Sequence, residues 1–280
     1  YKEALTVIEQ ADNIIFKISK EEAGDHKYQE QMHYANAAEE LLYLRGEAYN
    51  LAGNYKQAAD VFHKFREKYM VSDLIQYVNL STGYSYLNIN EYDQSIKFYD
   101  LVINYNGENR LAGLAKLYRT IALKKAGNVR EAQKELSALS VEPEYQYISN
   151  VLLELGHIYY ENGDYNNCSR LLERAVRESR NAETLTRCKL LLGESYIEQQ
   201  RWGKAANALE EAEKLAVKSN HIFMPMKDWY IAEARLKAGF AYVKAGKYEF
   251  ALRPLQAFIG DKYNAEKADE ALFWLAEAFY

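Results

Sequence analysis

The chain has 280 residues, of which 49% are hydrophobic and 27% are charged, and its formal net charge is -5. This balance gives no electrostatic reason for binding nucleic acid or a membrane surface, and no apolar run approaches the roughly 18 residues that a membrane-spanning helix needs. Tyrosine is abundant, with 25 copies, whereas there are only 3 prolines, which suits a helical protein.

A glycine recurs along the chain at a nearly constant period. The steps between its copies are 37, 73, 37 and 46 residues, and the 73-residue step divides at Thr120 into two regular ones. An aromatic residue follows each glycine at the third position and another at the ninth. The glycines and their first aromatic partners are Gly46 with Tyr49, Gly83 with Tyr86, Gly156 with Tyr159, Gly193 with Tyr196 and Gly239 with Tyr242. This period predicts a repeat array, an architecture that presents an extended binding surface.

Each repeat is predicted to be two helices joined by a short turn. In the fourth copy, residues 151–160 and a second run starting at Tyr165 carry apolar side chains at helical spacing, and turn-forming residues separate them. We expect the turn glycine to adopt the left-handed conformation that other residues resist. This position holds Gly53, Gly127, Gly163 and Gly246; the turns at 88–90 and 199–201 lack a glycine and are less well specified.

The first glycine of each repeat lies inside a predicted helix, where it costs roughly 1 kcal/mol relative to alanine and needs a packing reason. We expect it to allow a close crossing by the second helix, with a small residue of that helix facing the glycine. The small residues at the expected position are Ala58, Ser95, Ala132, Cys168, Ala205 and Ala251. The bulky residues expected to fill the groove against the next repeat are Phe62, Tyr99, Leu136, Leu172, Leu209 and Leu255.

In chain order, the pattern predicts a single array. It begins with a half repeat and extension at 1–23, continues with repeats at 28–68, 73–106, 109–141, 144–180, 182–219 and 226–261, and finishes with a partial repeat at 264–280. The apolar positions at both ends lack a covering helix. This favours a piece of a longer protein, and the alternative is self-association through these ends.

The sequence departs from the regular repeat pattern in three places, and each departure leads to a structural prediction. Residues 13–38 contain an insertion that either lengthens two paired helices or projects toward a partner. Residues 218–229 contain another, rich in methionine and aromatic residues, which either fills a gap between the fifth and sixth repeats or forms an adaptable contact surface. Pro254 falls inside the second helix of the sixth repeat, where it predicts a kink or an early end to the helix.

The repeat pattern resembles the tetratricopeptide-repeat family over nearly the whole chain. The fourth copy carries the resemblance most completely, with Leu152, Leu155, Gly156, Tyr159, Gly163, Tyr165 and Ala175. The departures are a repeat of mostly 37 residues instead of about 34, Thr120 in place of one glycine, and the absence of the terminal proline from most copies. The resemblance implies an all-α, right-handed superhelical solenoid of about 14 helices. The repeats look like those of bacterial cell-envelope members, which favours a periplasmic location.

Residues that could carry chemistry form no catalytic or metal-binding pattern. Cys168 and Cys188 occupy small-residue positions and are predicted to be buried thiols, although a disulfide between adjacent repeats remains an alternative. There is no C-x-x-C pattern, no pair of histidines at ligand spacing and no glycine-rich phosphate loop. We therefore expect a non-enzymatic protein that needs neither a cofactor nor a metal.

In this family the first helix of each repeat lines a concave groove, and the positions one and four after the glycine usually point into it. The resemblance therefore implies partner-binding residues at Glu47, Asn50, Tyr84, Leu87, Lys124, His157, Tyr160, Glu194, Ile197 and Phe240. The lysine and asparagine with which some members clamp a chaperone's terminal carboxylate are missing. We expect instead an extended or helical protein segment held by apolar pockets.

The predicted function is thus that of a scaffold that binds another protein. Two alternatives remain. The array could regulate or localise an enzyme or sensor domain of a larger protein. It could also be an envelope protein that captures a glycan or peptide on groove aromatics, which requires solvent-accessible rings at Tyr84 and Tyr160.

Overall fold

A computed structural model describes residues 28–107, 109–142, 144–219, 226–260 and 267–280, together with residues 6 and 10. Within these ranges the chain forms thirteen α-helices and no β-strand. They are α1 (Tyr28–Leu51), α2 (Tyr55–Lys68), α3 (Ile75–Asn88), α4 (Tyr92–Ile103), α5 (Ala112–Lys125), α6 (Val129–Leu139), α7 (Ile148–Glu161), α8 (Tyr165–Glu178), α9 (Ala182–Glu198), α10 (Trp202–Lys218), α11 (Lys227–Lys244), α12 (Tyr248–Ile259) and α13 (Ala268–Phe279).

The helices alternate between two roles. The odd-numbered helices, here called A helices, carry the repeating glycine position, which holds Thr120 in α5 and Ala276 in α13. The even-numbered helices, called B helices, follow each turn. The helices form two compact units that divide within α6, between Ala132 and Gln133. In the first unit α1 packs on α2 and α3 on α4; in the second, α7 packs on α8, α9 on α10 and α11 on α12. Neighbouring A helices also contact each other: α1, α3 and α5 in one unit, and α7, α9, α11 and α13 in the other.

The hairpin turns share one backbone conformation. The predicted turn glycines all have positive φ, with values of 76° at Gly53, 88° at Gly127, 73° at Gly163 and 68° at Gly246. The two turns without a glycine adopt the same conformation at Asn90 (φ 65°) and Gln200 (φ 57°). The prediction for the glycine turns is confirmed, and the helix pairs on either side impose the same turn even where a side chain makes it unfavourable.

The helix-A glycine is covered by the bulky residue of the paired helix B, so the expectation that this residue fills the groove against the next repeat is wrong. A Cβ atom on Gly46 would lie 2.3 Å from the ring of Phe62, and one on Gly193 would lie 2.4 Å from Leu209 Cγ. The residue sixteen positions after each glycine makes this contact: Phe62 over Gly46, Tyr99 over Gly83, Leu172 over Gly156, Leu209 over Gly193 and Leu255 over Gly239. The large side chain of helix B inserts where helix A has no side chain, which buries more apolar surface than a small residue could.

The small residues of helix B are nevertheless completely buried at the same crossing. In the second repeat the Ser95 hydroxyl donates a hydrogen bond of 2.8 Å to the carbonyl oxygen of Gly83. The small and bulky residues, four positions apart, therefore lie on one face of helix B and pack together against helix A.

Pro254 does not end its helix. Helix α12 continues from Tyr248 through Pro254 to Ile259, and the expectation of an early break is wrong. Ala251, Leu255 and Phe258 on both sides of the proline are buried. The burial of this face stabilises the helix despite the hydrogen bond that proline removes.

The insertions lie partly beyond what the structure describes. Helix α1 has 24 residues, but most of residues 13–38 precede it or have side chains outside the described set. Around the second insertion, α10 has 17 residues and α11 has 18. Phe223 and Met224 lie outside the described residues, whereas Met226 and Trp229 are exposed.

Both cysteines are free, buried thiols, so no disulfide joins them. Burial raises the pKa of Cys168 to about 11 and that of Cys188 to about 12. Because the thiolate is the nucleophile, both thiols should be unreactive in the folded protein at neutral pH.

We expect a soluble disulfide reagent to label the native chain at a small fraction of the rate seen in strong denaturant. The absorbance of the released thiolate, followed with and without guanidinium chloride, measures both rates. The two sites of the unfolded chain are the internal control. Rapid labelling of two thiols per native chain would contradict the buried assignment.

Candidate partner-binding faces

In four repeats the residue directly after the helix-A glycine lies at the contact between neighbouring A helices. Each of these four residues contacts a residue of the next A helix that lies two positions before the repeat glycine position of that helix. These contacts are the Ser81 hydroxyl close to the Glu47 carboxylate, the rings of Tyr84 and Tyr118 at 5.9 Å, the ion pair of Glu194 with Lys237, and the rings of Phe240 and Trp274 at 4.7 Å. One surface, here called the A face, therefore runs along the A helices within each unit.

In the first unit the A face is rich in tyrosine. Tyr84 contacts Tyr55 at 6.0 Å and Tyr118 at 5.9 Å, both edge to face, and Tyr118 stacks on Tyr99 at 5.9 Å. Burial, followed by the neighbouring phenols of Tyr55 and Tyr118, raises the pKa of Tyr84 to about 12. The phenol is therefore neutral at physiological pH and can donate or accept a hydrogen bond. Burial also raises the pKa of Glu47.

Two of the expected groove residues of this unit lie in its interior. Asn50 is 8% exposed and Leu87 is 5% exposed. The Asn50 amide donates to the carbonyl of Ser81 at 3.3 Å and accepts from the Ser85 hydroxyl at 2.7 Å, so it links α1 to α3. Leu87 belongs to the core, whereas Lys124 on α5 is half-buried.

In the second unit a row of charges crosses α9, α11 and α13. Lys237 pairs with Glu194 and, at 2.9 Å, with Glu233, which also pairs with Lys267. Burial acts to raise the pKa of Glu233, but hydrogen bonds from Lys267 and Lys237 outweigh it, and the pKa is lowered. Burial acts to lower the pKa of Lys237, and Glu194 outweighs that effect, so its pKa is raised. These charges neutralise one another within the face.

An aromatic cluster borders the charged row. Phe240 contacts Trp202 at 5.8 Å and Trp274 at 4.7 Å, both edge to face, and Phe273 lies 4.9 Å from Trp274. The Lys244 ammonium lies 5.0 Å above Trp274 and 5.8 Å above Phe240. Such aromatic surface supplies much of the binding energy in protein interfaces.

The remaining expected residues lie on α7 and α9. His157 and Tyr160 are half-buried, and Ile197 packs against the core of the second unit. Tyr160 contacts Tyr165 at 5.3 Å. Burial, together with the carboxylates of Glu194 and Glu198, raises the pKa of Tyr160.

The sequence analysis predicted only one of the two residues in each A-face contact. Tyr118, Lys237 and Trp274 lie two positions before the repeat glycine position, and only the positions one and four after it had been considered. Residues three apart lie on the same side of a helix. Extending the expected groove by one turn toward the N-terminus of each A helix would have found these three residues from the sequence.

The described residues offer few other chemical groups. No cluster of three histidine, cysteine, aspartate or glutamate side chains in this part of the chain can hold a metal ion. Among the described helices, none combines the length and hydropathy that a membrane span requires. The A faces instead present neutral aromatic rings and internally paired charges, which suit contact with another polypeptide.

Comparison with family models finds two matches. The tetratricopeptide-repeat model matches residues 40–69. The model of the family described as anaphase-promoting complex, cyclosome, subunit 3 matches residues 126–212. Comparison with curated proteins finds no match.

Similar helical arrays occur among solved structures. The apo form of the quorum sensor NprR from B. thuringiensis is 12% identical with a TM-score of 0.65, and the match covers 100% of this chain and 84% of that one. Pseudomonas aeruginosa pilF is 15% identical with a TM-score of 0.57, covering 84% of this chain and 98% of that one.

A chain of the APC/C hetero-tetramer Cut9–Hcn1 is 16% identical with a TM-score of 0.60, and the match covers 93% of this chain. This chain spans only 46% of the length of that relative. At these identities the likeness shows the fold. That fold is an all-α solenoid, and the family-model matches and the repeat pattern support its likeness to tetratricopeptide-repeat proteins.

Proposed function

We propose that this chain is a non-enzymatic scaffold that binds a segment of another protein on its A faces. The observation that carries the proposal is a contact that recurs between successive A helices. It joins the residue directly after the glycine of one A helix to the residue two positions before the glycine position of the next A helix. It places half-exposed rings side by side on successive A helices. Tyr84 with Tyr118, and Phe240 with Trp274, are the strongest examples.

The chemistry of these faces suits an apolar or aromatic protein segment. Rings of this kind bury a large area and still offer a hydroxyl or indole donor for a hydrogen bond. The cations Lys237 and Lys267 already pair with Glu194 and Glu233, so they provide no free positive surface for a strongly acidic partner. The similar chain of the Cut9–Hcn1 hetero-tetramer, in which different proteins assemble, is consistent with the scaffold role.

The test is a capture experiment with two matched variants. One variant replaces Tyr84, Tyr160 and Phe240 with alanine, and the control replaces the exposed aromatics Tyr105, Trp229 and Phe250. Lysate proteins bound to each bait are quantified by mass spectrometry, and circular dichroism checks that both variants keep their helices. We expect a partner to be retained by the control and reduced about tenfold or more on the A-face variant, because a few aromatic anchors carry most interface energy.

The other outcomes separate the alternatives. A partner retained by the A-face variant and lost from the control would exclude the A faces and point to the second insertion or to the B helices. Failure of any protein to bind would contradict the scaffold proposal and favour an array that only positions a domain of a larger protein. Binding of a glycan in place of a protein would favour the ligand-binding alternative, for which the half-buried rings of Tyr84 and Tyr160 leave limited surface.

A further inference from the structure

A second candidate site lies away from the A faces, on the B-helix side of the first unit. A cavity of about 410 Å³ is lined by His63, Arg66, Glu67, Met70 and Ile75. It lies where the end of α2 meets the start of α3. Next to it the loop residues Met70 and Val71 are 75% and 99% exposed, so apolar surface continues beyond the cavity.

Arg66 is the unusual residue of this cavity. Its guanidinium lies 4.7 Å from the centre of the Phe98 ring, and no carboxylate among the described residues is within ion-pairing distance. Three other half-buried arginines each contact a carboxylate: Arg119 contacts Asp100, Arg187 contacts Glu154 and Arg235 contacts Glu213. A partly buried guanidinium is stabilised by a planar anionic partner, and Arg66 lacks one. Burial lowers the pKa of Arg66, as expected for an arginine without a counter-ion.

Aromatic rings hold the site in place. His63 Nε2 lies 2.6 Å from the Tyr86 hydroxyl, and the Tyr86 ring stacks on Phe98 at 5.5 Å. In the second unit, Tyr196 and Glu173 occupy the repeat positions that Tyr86 and His63 occupy in the first, and the Tyr196 hydroxyl donates a hydrogen bond to Glu173. Histidine therefore replaces a carboxylate beside Arg66 and removes a negative charge that would repel an anionic ligand.

The carboxylates around the cavity favour an anion with a single negative charge over one with two. Glu67 lines the cavity, and burial, followed by the nearby carboxylates of Asp60 and Glu91, raises the pKa of Tyr86. These carboxylates disfavour a dianionic phosphate more than a carboxylate, which carries one negative charge. The exposed side chains of Met70 and Val71 favour an apolar residue next to that charge.

We propose that this cavity binds a glutamate or aspartate side chain of an apolar segment of another protein, with the carboxylate on Arg66 and the flanking apolar side chains on Met70 and Val71. The cavity shares no residue with the A-face contacts at Glu47, Tyr84 and Tyr118, so the proposal does not depend on the A faces. An Arg66–carboxylate contact supplies two parallel hydrogen bonds. The Phe98 ring, which packs against His63 and Tyr86, positions the guanidinium before the partner arrives.

The probe for the test is a tripeptide of leucine, glutamate and leucine with an acetylated N-terminus and an amidated C-terminus. The same peptide with glutamine at its centre is the control ligand. Binding is followed by the NMR shifts of the His63 ring protons in the whole chain. We expect a saturable shift with the glutamate peptide and binding weaker by about tenfold or more with the glutamine peptide, since a hydrogen bond to a charged group is worth about 1.5–3 kcal/mol.

Three variants on the same helix locate the interaction. Arg66→Met retains the apolar stem and should weaken the glutamate peptide by about tenfold or more. Lys64→Met removes the same charge from an exposed position nearby and should leave the affinity unchanged. Arg66→Lys keeps the positive charge but loses the planar guanidinium, so its affinity for the glutamate peptide should be intermediate. This variant tests the proposal if Arg66→Met fails to fold.

Several results would overturn the proposal. These are the absence of a saturable shift up to about 10 mM peptide, a concentration that corresponds to negligible affinity, equal binding of the two peptides, or equal loss in Arg66→Met and Lys64→Met. Inorganic phosphate that binds more tightly than the glutamate peptide would also overturn the choice of a carboxylate.

Discussion

Replacing Gly193 with alanine is expected to destabilise the chain by about 1–3 kcal/mol, although alanine favours helices. The new methyl group would lie 2.4 Å from Leu209 Cγ and 2.7 Å from Leu209 Cδ2, closer than atoms can approach without movement. Leu209 is completely buried and cannot move aside freely. The midpoint of guanidinium unfolding, followed by far-ultraviolet circular dichroism, measures the effect.

The control for this prediction is Gly203→Ala in the next helix, α10. No atom lies within 4 Å of a Cβ placed there, so the substitution should stabilise the chain by a few tenths to about 1 kcal/mol. Gly156→Ala should be milder than Gly193→Ala, because its nearest contact, Leu172 Cδ2, is 3.0 Å away. Combining Gly193→Ala with Leu209→Ala should cost less than the sum of the two single changes. If Gly193→Ala and Gly203→Ala stabilised the chain equally, the close crossing would be wrong.

Removing the positive charge of Arg235 should destabilise the second unit by about 3 kcal/mol. Glu213 is only 5% exposed, and it accepts hydrogen bonds from Arg235 Nε at 2.7 Å and Arg253 Nη2 at 2.8 Å. Arg235→Met retains most of the stem but leaves a buried carboxylate with one charged partner instead of two. Chemical unfolding at pH 7 gives the change in the free energy of unfolding.

The matched control is Lys214→Met on α10, which removes one partner of the ion pair with Glu210. That pair joins atoms 3.6 Å apart, and the lysine side chain is 63% exposed. Exposed pairs contribute little, so the change should stay within about 0.5 kcal/mol. The double variant Arg235→Met with Glu213→Leu should recover at least half of the lost stability, because it also removes the buried carboxylate that Arg235→Met leaves with a single charged partner. Equal effects of Arg235→Met and Lys214→Met would show that burial of Glu213 does not matter.

The same network sets the response to acid. Burial acts to raise the pKa of Glu213, but hydrogen bonds from Arg253 and Arg235 outweigh it, so the folded-state pKa is lowered; Glu233 behaves in the same way. A carboxylate with a lowered pKa stabilises the fold above its unfolded pKa of about 4.3, and this contribution is lost as pH falls through the folded value. We therefore expect unfolding free energy to fall below about pH 5. Arg235→Met should show a shallower decrease.

The helix–turn–helix pattern of the repeats could be predicted from the sequence because it depends on residues close together in the chain. The glycine turns at Gly53, Gly127, Gly163 and Gly246 and the apolar periodicity of the paired helices depend on neighbouring residues, and the structure confirms them. Pro254 does not end its helix as one alternative had predicted, because tertiary burial of the helix outweighs a missing hydrogen bond; the other alternative, a kink, stays a prediction. The expected groove identified Tyr84 and Phe240 on the A faces, although that these faces bind a partner is a proposal.

The sequence by itself determined that this protein is an all-α array of helix hairpins, since spacing between apolar, glycine and aromatic residues is set within each repeat. Only the tertiary structure decided which side chain covers each glycine, that Asn50 joins α1 to α3, and that Arg66 lines a cavity and forms no ion pair within the described residues. These facts depend on contacts between residues about 16 or more positions apart. Periodicity gives the face of a helix on which a residue lies, whereas its contact partner depends on how the helices cross.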